Sequence, residues 1–204
     1  MTVHFVDIGA HKGQAAKLLV ERGLSNVELH LFEPSPFLMK GLVDQFGENN
    51  KVSLYEAAFH NTNGHAIMYM PEPDSESSSL YAEKLTSPGA PSIQIPTMDG
   101  PEFLRKLSPG PIILFSNCEG SEFDFVPPIL DDPQLVDRIE LWSVSFHHGQ
   151  HKIPTMKLAY LKIKERLDEL GIENLERHYG KADIRAGKLD VFIDEVVVIG
   201  EYYE

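Results

Sequence analysis

The stretch "VHFVDIGAHKGQAAKLL", Val3 to Leu19, passes from an unbroken apolar run through an acid to glycine, and then into a helical pattern. The run VHFVDI has the length and composition of a buried strand. Ala15, Leu18 and Leu19 fall at helical spacing, and Gly23 supplies the stop. Asp7, Gly9, Ala10 and Gly13 therefore sit at the junction of a strand and a helix. In a doubly wound sheet, ligands collect beyond the carboxyl ends of the strands, where glycine lets the backbone come close to them.

Working outward, VELHLFEP predicts a second strand ended by Pro34, PFLMKGLVDQFG a second helix, and KVSLYEAAF a third strand. This β-α-β-α-β succession predicts a mostly parallel sheet with helices on both faces. GHAIMYM and SIQIPTMD read as strands, GPEFLRKL as a helix, PIILFSN and RIELWSVSFHH as further strands. IPTMKLAYLKIKERLDELG predicts a long amphipathic helix closed by Gly171, and VPPIL a helix terminator. IENLERHYG and DVFIDEVVVIG read as two strands and an antiparallel edge. Between the strands, residues 71–92 form a polar loop rich in proline and serine, expected to act as a lid around Ser77 to Leu80. With 204 residues, no repeat and no low-complexity linker, one domain over residues 1–204 is expected.

Acidic residues outnumber basic ones by 31 to 18, for a net charge of -13. That field repels a phosphate backbone, so a small-molecule partner is expected rather than nucleic acid. No apolar run reaches membrane-spanning length and no signal peptide is recognisable, so no membrane association is expected. Cys118 is the single cysteine, which fits a reducing, cytoplasmic setting.

The glycines follow D-x-G-x-x-x-G, which lacks the spacing of a dinucleotide fingerprint and any P-loop lysine. Glu33 ends the second strand in LFEP, where a carboxylate can accept from both hydroxyls of a ribose. Alone, Asp7 or Glu33 reads most simply as a strand–helix cap. Together and in register they point to an adenosine-like ligand without a phosphate cradle, S-adenosylmethionine rather than NAD.

VDIGAHKGQ, LFEPSP, AAFHNTNG, SSSL, IPTMDGPEFL and NCEGSE occur in the order and approximate spacing of the FkbM-type methyltransferases, and residues 3 to 148 resemble that family. The resemblance implies a single-domain Rossmann-like class I methyltransferase fold, α/β, with a mostly parallel seven-stranded sheet, an antiparallel C-terminal edge strand and helices on both faces. It implies S-adenosyl-L-methionine as cofactor and O-methylation of a small hydroxylated acceptor, such as a sugar or natural-product intermediate. Asp7, Gly9, Ala10 and Gly13 would line the methionine end of the cofactor. Glu33 would hold the ribose beside Pro34 and Ser35, with Ala58 and Asn61 near the adenine. Asn117, Glu119 and Glu122 would face the transfer site.

The family pattern K-x-D-x-E-G-x-E here reads FSNCEGSE, with Phe115 for the lysine and Asn117 for the aspartate. Asn117 can hydrogen-bond but cannot take a proton. A base is expected instead from SFHHGQH, His147 or His148, since imidazole titrates near neutral pH. No metal is assigned, the alternative being His147, His148 and His151 with Glu119 or Glu122 around a zinc-type ion. A non-catalytic S-adenosylmethionine- or S-adenosylhomocysteine-binding protein, a sensor or partner subunit, is the alternative function. The strand pattern begins at Val3, so the acceptor pocket is expected to be roofed by the serine-rich loop, the histidine loop or a second copy of the chain in a homo-oligomer.

Overall fold

The computed structural model describes residues 1–73, 75, 77–84, 89–147, 154–173 and 189–203. Its frame is a five-stranded, wholly parallel sheet. In chain order the strands of this sheet are β1 (Val3–Ile8), β2 (Val27–Phe32), β3 (Val52–Tyr55), β7 (Ile112–Ser116) and β8 (Ile139–Val144). They lie side by side in the order β3-β2-β1-β7-β8. Every residue of β1 is buried, as expected of a central strand covered on both faces.

Alternation along the strands divides the apolar side chains between two cores. Val3, Phe5, Leu29 and Leu31 pack on one face with α1 (Gln14–Arg22), α2 (Pro36–Phe46) and the C-terminal helix α7 (Leu189–Tyr202). Val6, Ile8, Phe32 and Leu114 pack on the other face. There they meet Leu104 of α3 (Gly100–Lys106), Phe125 and Ile129 of α4 (Glu122–Leu130), Leu135 of α5 (Pro133–Val136), and Ile163 and Leu167 of α6 (Pro154–Glu169).

The expected seven-stranded sheet is corrected on two counts. First, β4 (Ala58–His60), β5 (Gly64–Tyr69) and β6 (Ser92–Asp99) leave the main sheet and form a separate one, ordered β4-β6-β5. KVSLYEAAF accordingly divides between the two sheets at Glu56 and Ala57, with Tyr55 ending β3 and Ala58 opening β4. Antiparallel pairing of β5 with β6 satisfies their backbones locally and leaves nothing to extend the parallel ladder.

Second, DVFIDEVVVIG is helix, and among the described residues the antiparallel C-terminal edge strand does not exist. Ile193, Val196, Val197 and Gly200 recur at i, i+3, i+4 and i+7. Ile193 and Val196 are fully buried in the α1–α2 core, and Asn26 Nδ2 donates to the Gly200 carbonyl at 2.8 Å near the helix end. Of IENLERHYG, residues 174–180 lie outside the described residues.

The terminator expected at VPPIL lies inside α4, which carries Pro127 and Pro128. Full burial of Phe125, Val126 and Ile129 holds the helix despite the two missing amide donors. The helix over IPTMKLAYLKIKERLDELG is present from Pro154 to Glu169, and Gly171 follows it at φ +67°.

Candidate functional site

Strand order reverses between β1 and β7, and the crevice beyond their carboxyl ends is where an open parallel sheet binds ligands. A cavity of about 400 Å³ opens there, within the range of small-molecule sites. Asp7, Gly9, Ala10, Glu33, Pro34, Ala58, Asn117 and Glu119, all singled out from the sequence, line it together. Gly13, Ser35, Asn61, Glu122 and His147 do not. His148 and His151 lie outside the described residues.

Gly9 has φ +82°, and a Cβ there would lie 2.6 Å from the Asn117 carbonyl oxygen. The first strand–helix loop thus runs hard against the end of β7, which draws both chain segments into one wall. Gly13, at φ +71°, serves packing instead: its Cβ would meet the Phe46 ring at 2.6 Å and Leu42 at 2.9 Å.

Asp7 is buried and lines the cavity. Burial, and then the neighbouring charge of Glu33, push its carboxyl up to about 7. Glu33 binds the loops around it: Oε2 accepts the His11 backbone N–H at 2.9 Å, and Oε1 that of Ser35 at 2.9 Å. Two bonds leave a carboxylate further lone pairs for a ligand. Burial raises the Glu33 carboxyl, opposed by those two N–H groups. Ser35 is the N-cap of α2, its hydroxyl accepting from Leu38 N–H.

A second constellation lies behind the cavity wall. His147 is held between two carboxylates, with Nδ1 3.0 Å from Glu122 Oε1 and Nε2 3.0 Å from Glu119 Oε1. Its backbone N–H also donates to Glu122 Oε1 at 2.7 Å, and Gly120 N–H donates to Glu122 Oε2 at 2.7 Å. Burial alone opposes the imidazolium, but the bonds to Glu119 and Glu122 outweigh it and raise the ring to about 9. Glu122 is likewise pushed up by burial and brought back below its ordinary value by His147. At neutral pH this ring carries its proton already, and it does not reach the cavity. Glu119 does, at φ +57°, a conformation that non-glycine residues adopt rarely and at a cost.

Cys118 lines the cavity beside this cluster, and burial, followed by the charge of Glu122, pushes its thiol up and disfavours the thiolate. Trp142 is buried in the core.

The serine-rich loop reaches the cavity through Ser75, Ser78, Ser79 and Leu80. Ser79 exchanges backbone bonds with Tyr69 at 2.9 and 3.0 Å, and its hydroxyl donates to the Glu119 carbonyl at 2.7 Å. Tyr81 Oη donates to Asp124 at 2.6 Å, and His60 Nε2 lies 3.5 Å from the same carboxylate oxygen. Neither Tyr81 nor Asp124 stood out in the sequence, because nothing local marks two side chains more than forty residues apart as partners.

The fold is similar to that of a solved structure, the methyltransferase FkbM from Methylobacillus flagellatus KT, with a TM-score of 0.51 and 13% identity. The match covers 82% of this chain and 37% of that one. The chain thus aligns with little more than a third of that protein, and at this identity the likeness concerns the fold. No protein-family model matches the chain, and no curated protein sequence matches it. Among the described residues, no helix is long and apolar enough to cross a membrane.

Proposed function

We propose that the protein is an S-adenosylmethionine-dependent methyltransferase acting on the hydroxyl of a small molecule. The observation that carries this reading is the pair of buried carboxylates, Asp7 and Glu33, lining one cavity at the point where strand order reverses. The fold it shares with a methyltransferase agrees with it.

The residues present suit such a cofactor. A carboxyl held near 7 by burial and a like charge is stabilised in its ionised form by an incoming cation, here the ammonium of the methionine part at Asp7. Glu33, fixed by two backbone N–H groups, offers its remaining lone pairs to the ribose hydroxyls. Ala10, Pro34, Ala58 and Phe59 give the cavity apolar walls suited to an adenine ring. When bound, the cofactor supplies an electrophilic methyl group on a sulfonium.

What this chain supplies beyond binding is orientation and a proton acceptor. Glu119 faces the cavity and takes the acceptor hydroxyl's proton on its carboxylate. His147, protonated and pinned by Glu122, acts as a positioning residue that holds Glu119 Oε1 in place. Asn117 lines the same wall and orients the acceptor through its carboxamide. Ser78, Ser79 and Leu80 serve as the roof that excludes water.

Replacement of Glu119 by Gln should lower kcat by about 10²- to 10⁴-fold, with KM for the cofactor unchanged, once an acceptor is found in a panel of sugars and hydroxylated metabolites. The neutral Asn117 on that wall favours a second reading, a non-catalytic binder of the same ligand. Release of S-adenosylhomocysteine with any acceptor excludes it.

A further inference from the structure

At the opposite end of the sheet from the cavity, two histidines and a glutamate gather on one face. His4 and Glu28 are direct register partners on β1 and β2, and His30 lies two residues further along β2, so all three side chains share a face. His4 Nδ1 and His30 Nε2 stand 3.2 Å apart, and Glu28 Oε2 lies 3.7 Å from His4 Nδ1. One ligating atom from each residue lies within 4.8 Å of the other two. Ligands at tetrahedral zinc distances stand roughly 3.4 Å apart, so the spacing is that of a metal site.

The outer ring nitrogens are also held. His4 Nε2 meets the Ser108 carbonyl at 3.1 Å and the Ser108 hydroxyl at 3.0 Å, and His30 Nδ1 meets Tyr55 Oη at 3.4 Å. A carbonyl only accepts, so His4 carries its proton on Nε2 and turns the Nδ1 lone pair toward the cluster. Metal-bound histidines regularly have the other ring N–H fixed in this way. Arg138 donates to the same Ser108 carbonyl at 2.8 Å.

We propose that His4 Nδ1, His30 Nε2 and the Glu28 carboxylate bind a divalent transition-metal ion of the zinc type, with water completing its coordination. Glu28 is 52% exposed and provides the path from solvent, while His4 is 1% exposed and forms the floor. Without metal, His30 Nε2–H donates to His4 Nδ1 and the Tyr55 hydroxyl donates to His30 Nδ1. On binding, the His30 proton passes to Nδ1, which donates to Tyr55 Oη, and no net proton is released. Two neutral imidazoles and one carboxylate suit zinc, cobalt or nickel. The ion clamps β1 to β2 at the edge of the sheet remote from Asp7 and Glu33, so its role is structural. The inference is independent of the methyltransferase reading.

The test is titration of the chelator-stripped full chain with Co²⁺, followed by visible absorption, and then displacement by Zn²⁺. Glu28→Gln changes a half-exposed side chain and leaves the buried histidines in place, with far-ultraviolet circular dichroism verifying the fold. Glu119→Gln is the control for binding near His147. One equivalent of Co²⁺ with the strong bands of four- or five-coordinate geometry is expected, with affinity at least ten-fold lower in Glu28→Gln and unchanged in Glu119→Gln. Zn²⁺ should raise Tm by several degrees in the wild-type and Glu119→Gln proteins and not in Glu28→Gln. Equal binding in Glu28→Gln, loss of binding in Glu119→Gln, or only the pale spectrum of hydrated Co²⁺ overturns the proposal.

Discussion

Asp7 and Glu33 lie at the ends of neighbouring parallel strands, and burial, then the charge of Glu33, pushes the Asp7 carboxyl up to about 7. In the ligand-free protein this pair works against folding. The Asp7 carboxyl is raised from 3.8 to about 7, so the buried proton favours the fold below pH 4 and that advantage is lost as pH rises through 7. Asp7→Asn should therefore gain stability relative to wild type between pH 4 and 7, reaching on the order of 3 kcal/mol at pH 7. Urea unfolding across that range measures it. A constant difference would show that Asp7 is ionised throughout.

His147 has the opposite placement. Its ring rises from 6.5 to about 9, so its contribution is complete below pH 6.5 and disappears as pH rises through 9. His147→Gln should cost roughly 2–3 kcal/mol at pH 6, and the difference from wild type should shrink steadily toward pH 10. Denaturation curves at pH 6, 8 and 10 check the trend. An unchanging gap would mean that packing, rather than the ion pairs to Glu119 and Glu122, carries the effect.

Much of this architecture is legible in the chain. The run VHFVDIG and the step LFEP each show a strand ending in a carboxylate, and parallel pairing of β1 with β2 brings Asp7 and Glu33 to one edge. The tail misleads because Val and Ile favour strands by composition, while the buried positions Ile193 and Val196 keep helical period. The sequence brings His147 together with Glu119 or Glu122 only as an alternative metal group, and no local pattern shows that both carboxylates grip the ring, since Glu122 opens a helix and His147 follows a strand, 25 residues apart. His4 and His30 likewise read as ordinary strand residues until β1 and β2 are laid side by side.

Gly9→Ala places a methyl group 2.6 Å from the Asn117 carbonyl at φ +82°. The strain and overlap should destabilise the fold by about 2–4 kcal/mol. Chemical denaturation reads the loss. Gly23→Ala, with open space around its Cβ position, bears the conformational penalty alone and should cost less.

Tyr81→Phe removes the hydroxyl that ties the serine-rich loop to Asp124. Limited proteolysis should cut the variant between Pro71 and Ser92 several-fold faster than wild type, and S-adenosylhomocysteine should protect wild type at the same bonds. Equal cleavage with and without ligand would argue against a closing lid.

The central claim is that the Asp7–Glu33 cavity binds an adenosyl sulfonium. Calorimetric titration of the wild-type and Glu33→Gln proteins with S-adenosylhomocysteine, and separately with NAD, tests it most directly. One S-adenosylhomocysteine per chain, at least ten-fold weaker in Glu33→Gln, with no heat from NAD, is the predicted result. No binding of S-adenosylhomocysteine, or binding of NAD in its place, would contradict it.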